Sequence, residues 1–328
     1  MAIGKHHRVA ALVVGRGREL SNRPTHLADC LPNGRQFDLI TWNKRGDDTL
    51  AHLRTPWLHE LRWPEVEAHL AGDDVALIPI GATEQHGRHL PLLVDTGWAE
   101  ASCEETAWRA GVVVAPTIPY GWSPHHMGYP GTVTLSAATL QAVVEDVAHS
   151  LIHHGFKRLV IVNGNRIANL QPLEIAAVRL INRTGAHVVV ADTGLIARHE
   201  IKALCELGSA GLDHAAEAES SLALHWAAEH VAMGEARASQ NDHAPFGGGA
   251  FDYPVELDPA LAGNALSRFV TPYGVKDNTA PDGTGGDPRP ATAEKGKAMV
   301  DAIAANLVAV IEEMRAAKVG PVSATLPV

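Results

Sequence analysis

The sequence predicts an α/β fold: a three-layer α/β/α sandwich built on a doubly wound, mostly parallel sheet. Three observations predict it. Short apolar runs alternate with longer amphipathic stretches over most of the chain, and the connections between them are short. One run, Leu159-Val160-Ile161-Val162, is apolar at every residue, as a central parallel strand covered on both faces requires.

In chain order, residues 1–56 read as an N-terminal extension. It holds one strand over Val9–Val14 and a second near Phe37–Trp42, separated by Pro- and Gly-bearing turns. It packs on a neighbouring subunit, covers the site as a lid, or remains a loose tail. The main domain, 57–328, opens with a helix at Trp63, where Pro64 suits the first turn, Val66 and Leu70 form the apolar face and Gly72 ends the run. Asp74–Ile80 is a buried strand. Thr96–Arg109 is helical with Thr96 as its cap, Val112–Pro116 is a strand and Val133–Leu135 a short one. Ser136–His154 carries a buried stripe of Leu140, Val143, Val144, Val147 and Leu151.

After the central strand come a helix over Asn169–Thr184, a strand over His187–Ala191, and helices over Leu195–Leu207 and His214–His230. Ala244–Arg289, rich in Gly and Pro, is loop, and Ala291–Ala317 is the last helix. The glycines at 247–249 and 283–286 lack both the Gly-Lys-Ser/Thr of a P-loop and the spacing of a dinucleotide fingerprint. They are flexible points of a loop.

Composition narrows the function classes. In 328 residues, 27 Lys and Arg oppose 37 Asp and Glu, a formal charge of −10. That balance argues against general nucleic-acid or anionic-membrane binding. Cys30, Cys103 and Cys205 are odd in number and widely spaced, which points to a reducing, cytoplasmic compartment with thiols as small core residues. The basic start before Val9–Val14 is no signal peptide, because the apolar run breaks at Gly15-Arg16. No stretch approaches the ~20 apolar residues of a membrane helix.

The chemistry centres on the turn after Ile80, where Glu84, His86, His89 and Asp95 gather on a loop at a strand's carboxyl end. Glu84 and His86 are two apart, so in an extended segment both point the same way. Carboxylate oxygen with imidazole nitrogen suits Zn²⁺, Mn²⁺ or Fe²⁺, and an Asp can bridge two ions. Each residue alone also has an ordinary reading: a capped turn, a backbone hydrogen bond, a helix cap. Together they favour metal.

Glu84-Gln85-His86-Gly87-Arg88-His89-Leu90-Pro91-Leu92-Leu93-Val94-Asp95 resembles the signature of the creatininase (creatinine amidohydrolase) family. Further matches follow in the family's order. They are Ser123–His126 leading into Tyr129–Thr132, then Val162-Asn163-Gly164, Asp213–Ser220, and Gly286–Gly296. The resemblance runs from about Leu61 to Ala316. It implies hydrolysis of a non-peptide C–N bond in a small amide or amidine, often cyclic, by water activated between two divalent ions. It also implies a homo-oligomer, a hexamer in the family.

By that resemblance Glu84 and His86 each hold one ion and Asp95 bridges them. His214 is the catalytic His that gives a proton to the departing nitrogen, and Glu219 either orients His214 or serves as a ligand. Glu217, two residues from Glu219, falls on another helical face and is expected in solvent. Asp213 caps the helix starting at His214 or meets the substrate. His126 faces the substrate or anchors the turn at Pro130, and Trp122 walls the pocket or lies in the core.

One departure weighs against the matches. The family reads Asn-Gly-His where this chain has Asn163-Gly164-Asn165, and a ligand Glu two residues later is Ile167 here. An amide oxygen is a weaker ligand than imidazole. Either one ion is lost, a neighbour compensates, or Asn165 replaces a ligand to trap a complex. The rival class is accordingly a mononuclear or metal-depleted variant that binds ligand or assembles without efficient hydrolysis.

Overall fold

A computed structural model describes residues 53–165, 168–239, 252–253, 263–264 and 282–320. Nearly all of the expected extension, Cys30 and most of the 244–289 loop therefore lie outside the described residues. From within the extension, Pro56 O accepts a hydrogen bond from Val114 N at 2.8 Å. Residues 252–253 and 263–264 form a two-residue antiparallel pair.

The main sheet holds four parallel strands: β1 (Val75–Ile80), β2 (Val113–Val114), β3 (Arg158–Asn163) and β4 (His187–Asp192), in the order β2-β1-β3-β4. Residues alternate between its faces because a strand's side chains do. Val75 and Leu77 of β1 and Val160 and Val162 of β3 join one core, shared with helices α2 (Val94–Ala110), α6 (Arg198–Leu204), α7 (Glu217–Trp226) and α8 (Ala293–Ala316). Ala76, Ile78, Ile80, Leu159 and Ile161 join the other, beneath α3 (Ala137–His153) and α4 (Leu170–Thr184). Helix α1 (Trp63–Leu70) sits at the margin of that second core, and α5 (Thr193–Ile196) leads directly from β4 into α6. The result is the three-layer α/β/α sandwich expected, with each fully buried Leu or Ile contributing about 2 kcal/mol.

From β1 the chain steps to β2 on one side, then crosses to β3 on the other. The crevice of such a sheet opens beyond the carboxyl ends of the two strands flanking that reversal. Register levels those ends, pairing Ile80 with Asn163 and Asn163 with Asp192. The loop after β1 and the turn after β3 consequently meet.

Several boundaries differ from expectation for identifiable reasons. Helix α2 begins at Val94, so Thr96 is no cap; its hydroxyl donates to Ala82 O at 3.1 Å. Val133–Leu135 forms only isolated bridges, Thr83 with Val133 and Gly121 with Thr134. The single helix expected over Leu195–Leu207 is two short ones, α5 and α6, that meet at Ala197. Helix α7 begins at Glu217 rather than His214 because Ala215, at φ 55°, turns the chain left-handed just before it.

Glu217 is fully buried, against the expectation of solvent. Its carboxylate meets Lys295 Nζ at 2.6 Å and accepts from the Glu206 and Leu207 N–H groups. The helical step that separates it from Glu219 holds, but its own face is covered by α8. That helix approaches closely, since a Cβ on Gly296 would lie 2.0 Å from Ser221 O.

Candidate metal centre

The β1 loop is pinned before it reaches the site: Glu84 N donates to Leu92 O at 3.1 Å and Gln85 N to Thr132 Oγ1 at 3.2 Å. Asp95 follows in the first turn of α2. On the facing strand, Asn163 closes its own turn, donating to Asn165 O at 2.7 Å and to Asp192 Oδ2 at 3.0 Å and accepting from Asn165 N at 3.2 Å. Gly164 lets the two loops meet, because a Cβ there would stand 2.0 Å from Asp95 O. Glu219 arrives from α7, where its Oε2 accepts from Ala215 N at 2.6 Å and holds the left-handed turn.

These elements bury Glu84, His86, Asp95 and Asn165 together and place Glu219 and His214 beside them, each only partly exposed. His86 Nε2 lies 3.3 Å from Asp95 Oδ1 and 3.5 Å from Glu219 Oε2, yet no hydrogen bond satisfies it. The other nitrogen, Nδ1, sits 3.2 Å from Glu84 O, so in the neutral ring it carries the hydrogen and Nε2 turns its lone pair to the carboxylates. This is how a protein orients an imidazole ligand.

Burial alone would lower the His86 pKa, but Asp95, Glu219 and Glu84 outweigh it and raise it to about 10. Burial, reinforced by Asp95, lifts Glu84 to about 8; burial lifts Glu219 to about 7, although His86 pulls it down. The cluster therefore calls for positive charge at His86 Nε2, supplied by a proton or by a cation. Oxygen and nitrogen donors in Glu84–His86–Asp95, in His86–His214–Glu219 and in Glu84–His126–His214 lie, within each group, no more than 4.8 Å from one another. Borderline divalent ions suit that donor set.

Histidines stack above the cluster. The His214 ring lies 4.3 Å from that of His86 and 4.5 Å from that of His126, centroid to centroid. His214 Nε2 is 2.7 Å from Gln85 O and so donates to it, which leaves Nδ1 facing Glu219 Oε2 at 4.0 Å. Burial, with His86 adding to it, holds His214 well below the usual imidazole range.

Gln85 fixes a second ring. Its Oε1 accepts from Gly87 N at 2.9 Å, so its Nε2 donates to His126 Nδ1 at 2.8 Å. The hydrogen of neutral His126 therefore sits on Nε2, 3.4 Å from Glu84 Oε1. Of the residues expected to meet substrate, Asp213 is exposed at the edge, where its charge bears on Glu219 and its Oδ1 accepts from His214 N at 2.7 Å. With α7 starting at Glu217, Asp213 does not cap it. Trp122 packs against the α3/α4 core, its backbone N–H donating to Asn169 Oδ1 at 2.8 Å. His89 turns away to Ser220 Oγ at 2.8 Å. Gln85 was missed in the sequence; its place between Glu84 and His86 was the signal available.

Fold and cluster together define a class: a doubly wound α/β/α protein with carboxylates and imidazoles gathered for a cation at its switch point. A family model for creatininase, creatinine amidohydrolase, matches residues 59–311. A creatinine amidohydrolase of Pseudomonas putida is 39% identical over 118 residues, 34% of this chain, and that stretch spans less than half, 45%, of the relative. A mycofactocin precursor peptide peptidase of Mycobacterium ulcerans (strain Agy99) is 33% identical over 266 residues, 75% of this chain and 88% of the relative. A solved Zn–Zn type mutant creatininase superposes with a TM-score of 0.61 at 28% identity, covering 80% of this chain and 98% of its own. The chain belongs to the creatininase family, a family of hydrolases acting on C–N bonds.

Proposed function

We propose that this chain is a metal-dependent amidohydrolase that cleaves the C–N bond of a small, cyclic amide or amidine, working in the cytoplasm as a homo-oligomer. The carrying observation is the unsatisfied His86 Nε2 held between Asp95 and Glu219. His86, Asp95 and Glu219 would hold the ion, Zn²⁺, Mn²⁺ or Fe²⁺. When bound, such an ion supplies hydroxide near neutral pH and polarises the scissile carbonyl.

The proton work falls to His214. It is kept neutral, and Nε2–H is committed to Gln85 O, so Nδ1 is the atom free to take a proton and return it to the departing nitrogen. Glu219, 4.0 Å away, steadies the ring once it is charged. His126 is engaged with Gln85 and Glu84 and so positions Glu84 rather than reaching substrate. Asp213, exposed at the rim, can accept a hydrogen from an amidine nitrogen. The depth of the cluster favours a small substrate. Ile175, Val178 and Ile181, exposed along α4, support assembly with further copies.

The test is hydrolysis of a panel of lactams, cyclic amidines and short peptides by chelator-treated protein with and without added Zn²⁺ or Mn²⁺. Hydrolysis of a cyclic compound should disappear on chelation and return with metal. Activity indifferent to chelation, or confined to peptides, contradicts the reading.

A further inference from the structure

The side chain of Asn165 lies across the half of the cluster nearest Glu84. Its Nδ2 is 2.9 Å from Glu84 Oε2 and 2.9 Å from Asp95 Oδ2, so its two hydrogens go one to each carboxylate. The orientation of the amide is set elsewhere: Oδ1 accepts from Ala168 N at 3.2 Å. Turning the amide round to offer oxygen to an ion would set its NH₂ against that N–H and leave a buried donor unpaired, at a cost of about 1–3 kcal/mol. Asn165 thus faces the carboxylates as a donor.

The other oxygen of Glu84, Oε1, lies 3.4 Å from His126 Nε2. His126 cannot replace the missing ligand, because Gln85 occupies its Nδ1 and its Nε2 carries the hydrogen. Both Glu84 oxygens therefore face protein donors. At the opposite end, Asp95 Oδ1 and Glu219 Oε2 both face the fully buried, unpartnered Nε2 of His86.

We infer that this chain holds one divalent ion, at His86 Nε2 between Asp95 and Glu219, and that the Asn165 carboxamide fills the second position by cross-linking Glu84 to Asp95. The inference rests on the metal-dependent reading above but not on any activity. An NH₂ group brings two directed hydrogens and no formal charge, so it satisfies carboxylate oxygens where a second ion would otherwise be required.

The experiment is metal titration of the stripped full-length chain with Mn²⁺, read by elemental analysis and by electron paramagnetic resonance. One ion per chain with an isolated six-line spectrum is expected. His86→Ala should weaken binding at least about 100-fold, whereas Glu84→Gln, which touches only a neighbouring contact, should stay within about 10-fold. Asn165→His should raise the count to two and produce an exchange-coupled spectrum. Two ions in the unsubstituted chain, none, or one ion lost with Glu84→Gln and kept with His86→Ala would overturn the inference. The unsubstituted chain decides the count even if a variant fails to fold. A chain that binds one ion and hydrolyses no amide would contradict the proposed function and leave this inference standing.

Discussion

His86 and Asn165 approach Asp95 from opposite ends, His86 also facing Glu219 and Asn165 Glu84, and they relieve these carboxylates in different ways, one by holding positive charge, the other by donating hydrogens. The difference predicts a pH dependence. Folded Glu84 and Glu219 titrate at about 8 and about 7, against 4.5 for an ordinary Glu, so the folded state keeps protons that the unfolded chain has lost. Their stabilising protonation is fully present below pH 4.5 and disappears as pH rises through 7 and 8. His86, raised from 6.5 to about 10, likewise loses its contribution on the alkaline side. His126 and His214, pushed down chiefly by burial, act oppositely and cost stability as pH falls below 6.5. A cation between His86, Asp95 and Glu219 replaces the protons of His86 and Glu219, so the rise in Tm on adding Mn²⁺ to metal-free protein should be larger at pH 8 than at pH 6. An equal or smaller rise at pH 8 contradicts this. Glu84, His86 and Asp95 were legible in the sequence because one short stretch, the β1 loop and the first turn of α2, carries them all. The direction in which the Asn165 amide faces was not, since it depends on an N–H three residues further along the chain.

Elements bring those residues together through close backbone approaches more than through side chains. At Gly164 the β3 turn touches the first turn of α2, where any Cβ would overlap Asp95 O. Gly164→Ala should cost about 3 kcal/mol of unfolding free energy by overpacking and weaken Mn²⁺ binding as Asp95 shifts, read by denaturant unfolding and by titration. Unchanged stability would mean that the two loops yield without strain. Helix starts were harder to read than strands. The run from His214 to His230 has no Gly or Pro to mark the left-handed turn at Ala215, and the burial of Glu217 followed from that missed turn and from Lys295, 78 residues away. The four strands of the main sheet were read to within a residue or two because each is built on a continuous apolar run.

At the scale of the molecule, alternation of strand and helix was enough to give the layers. The reversal between β1 and β3 then fixes where a ligand can enter, and the two loops that the motifs marked are the two that meet there. Only the family resemblance, and not spacing, pointed Glu219 to the same crevice, because that contact rests on the packing of α7 against α2 and α8. The measurement that tests the account most directly is an anomalous difference map at the zinc edge from crystals of the full-length protein grown with Zn²⁺. The account predicts one strong peak per chain within ligand distance of His86 Nε2, flanked by Asp95 and Glu219. A peak bound through Glu84 and Asn165 instead, or no peak in this crevice, would contradict it.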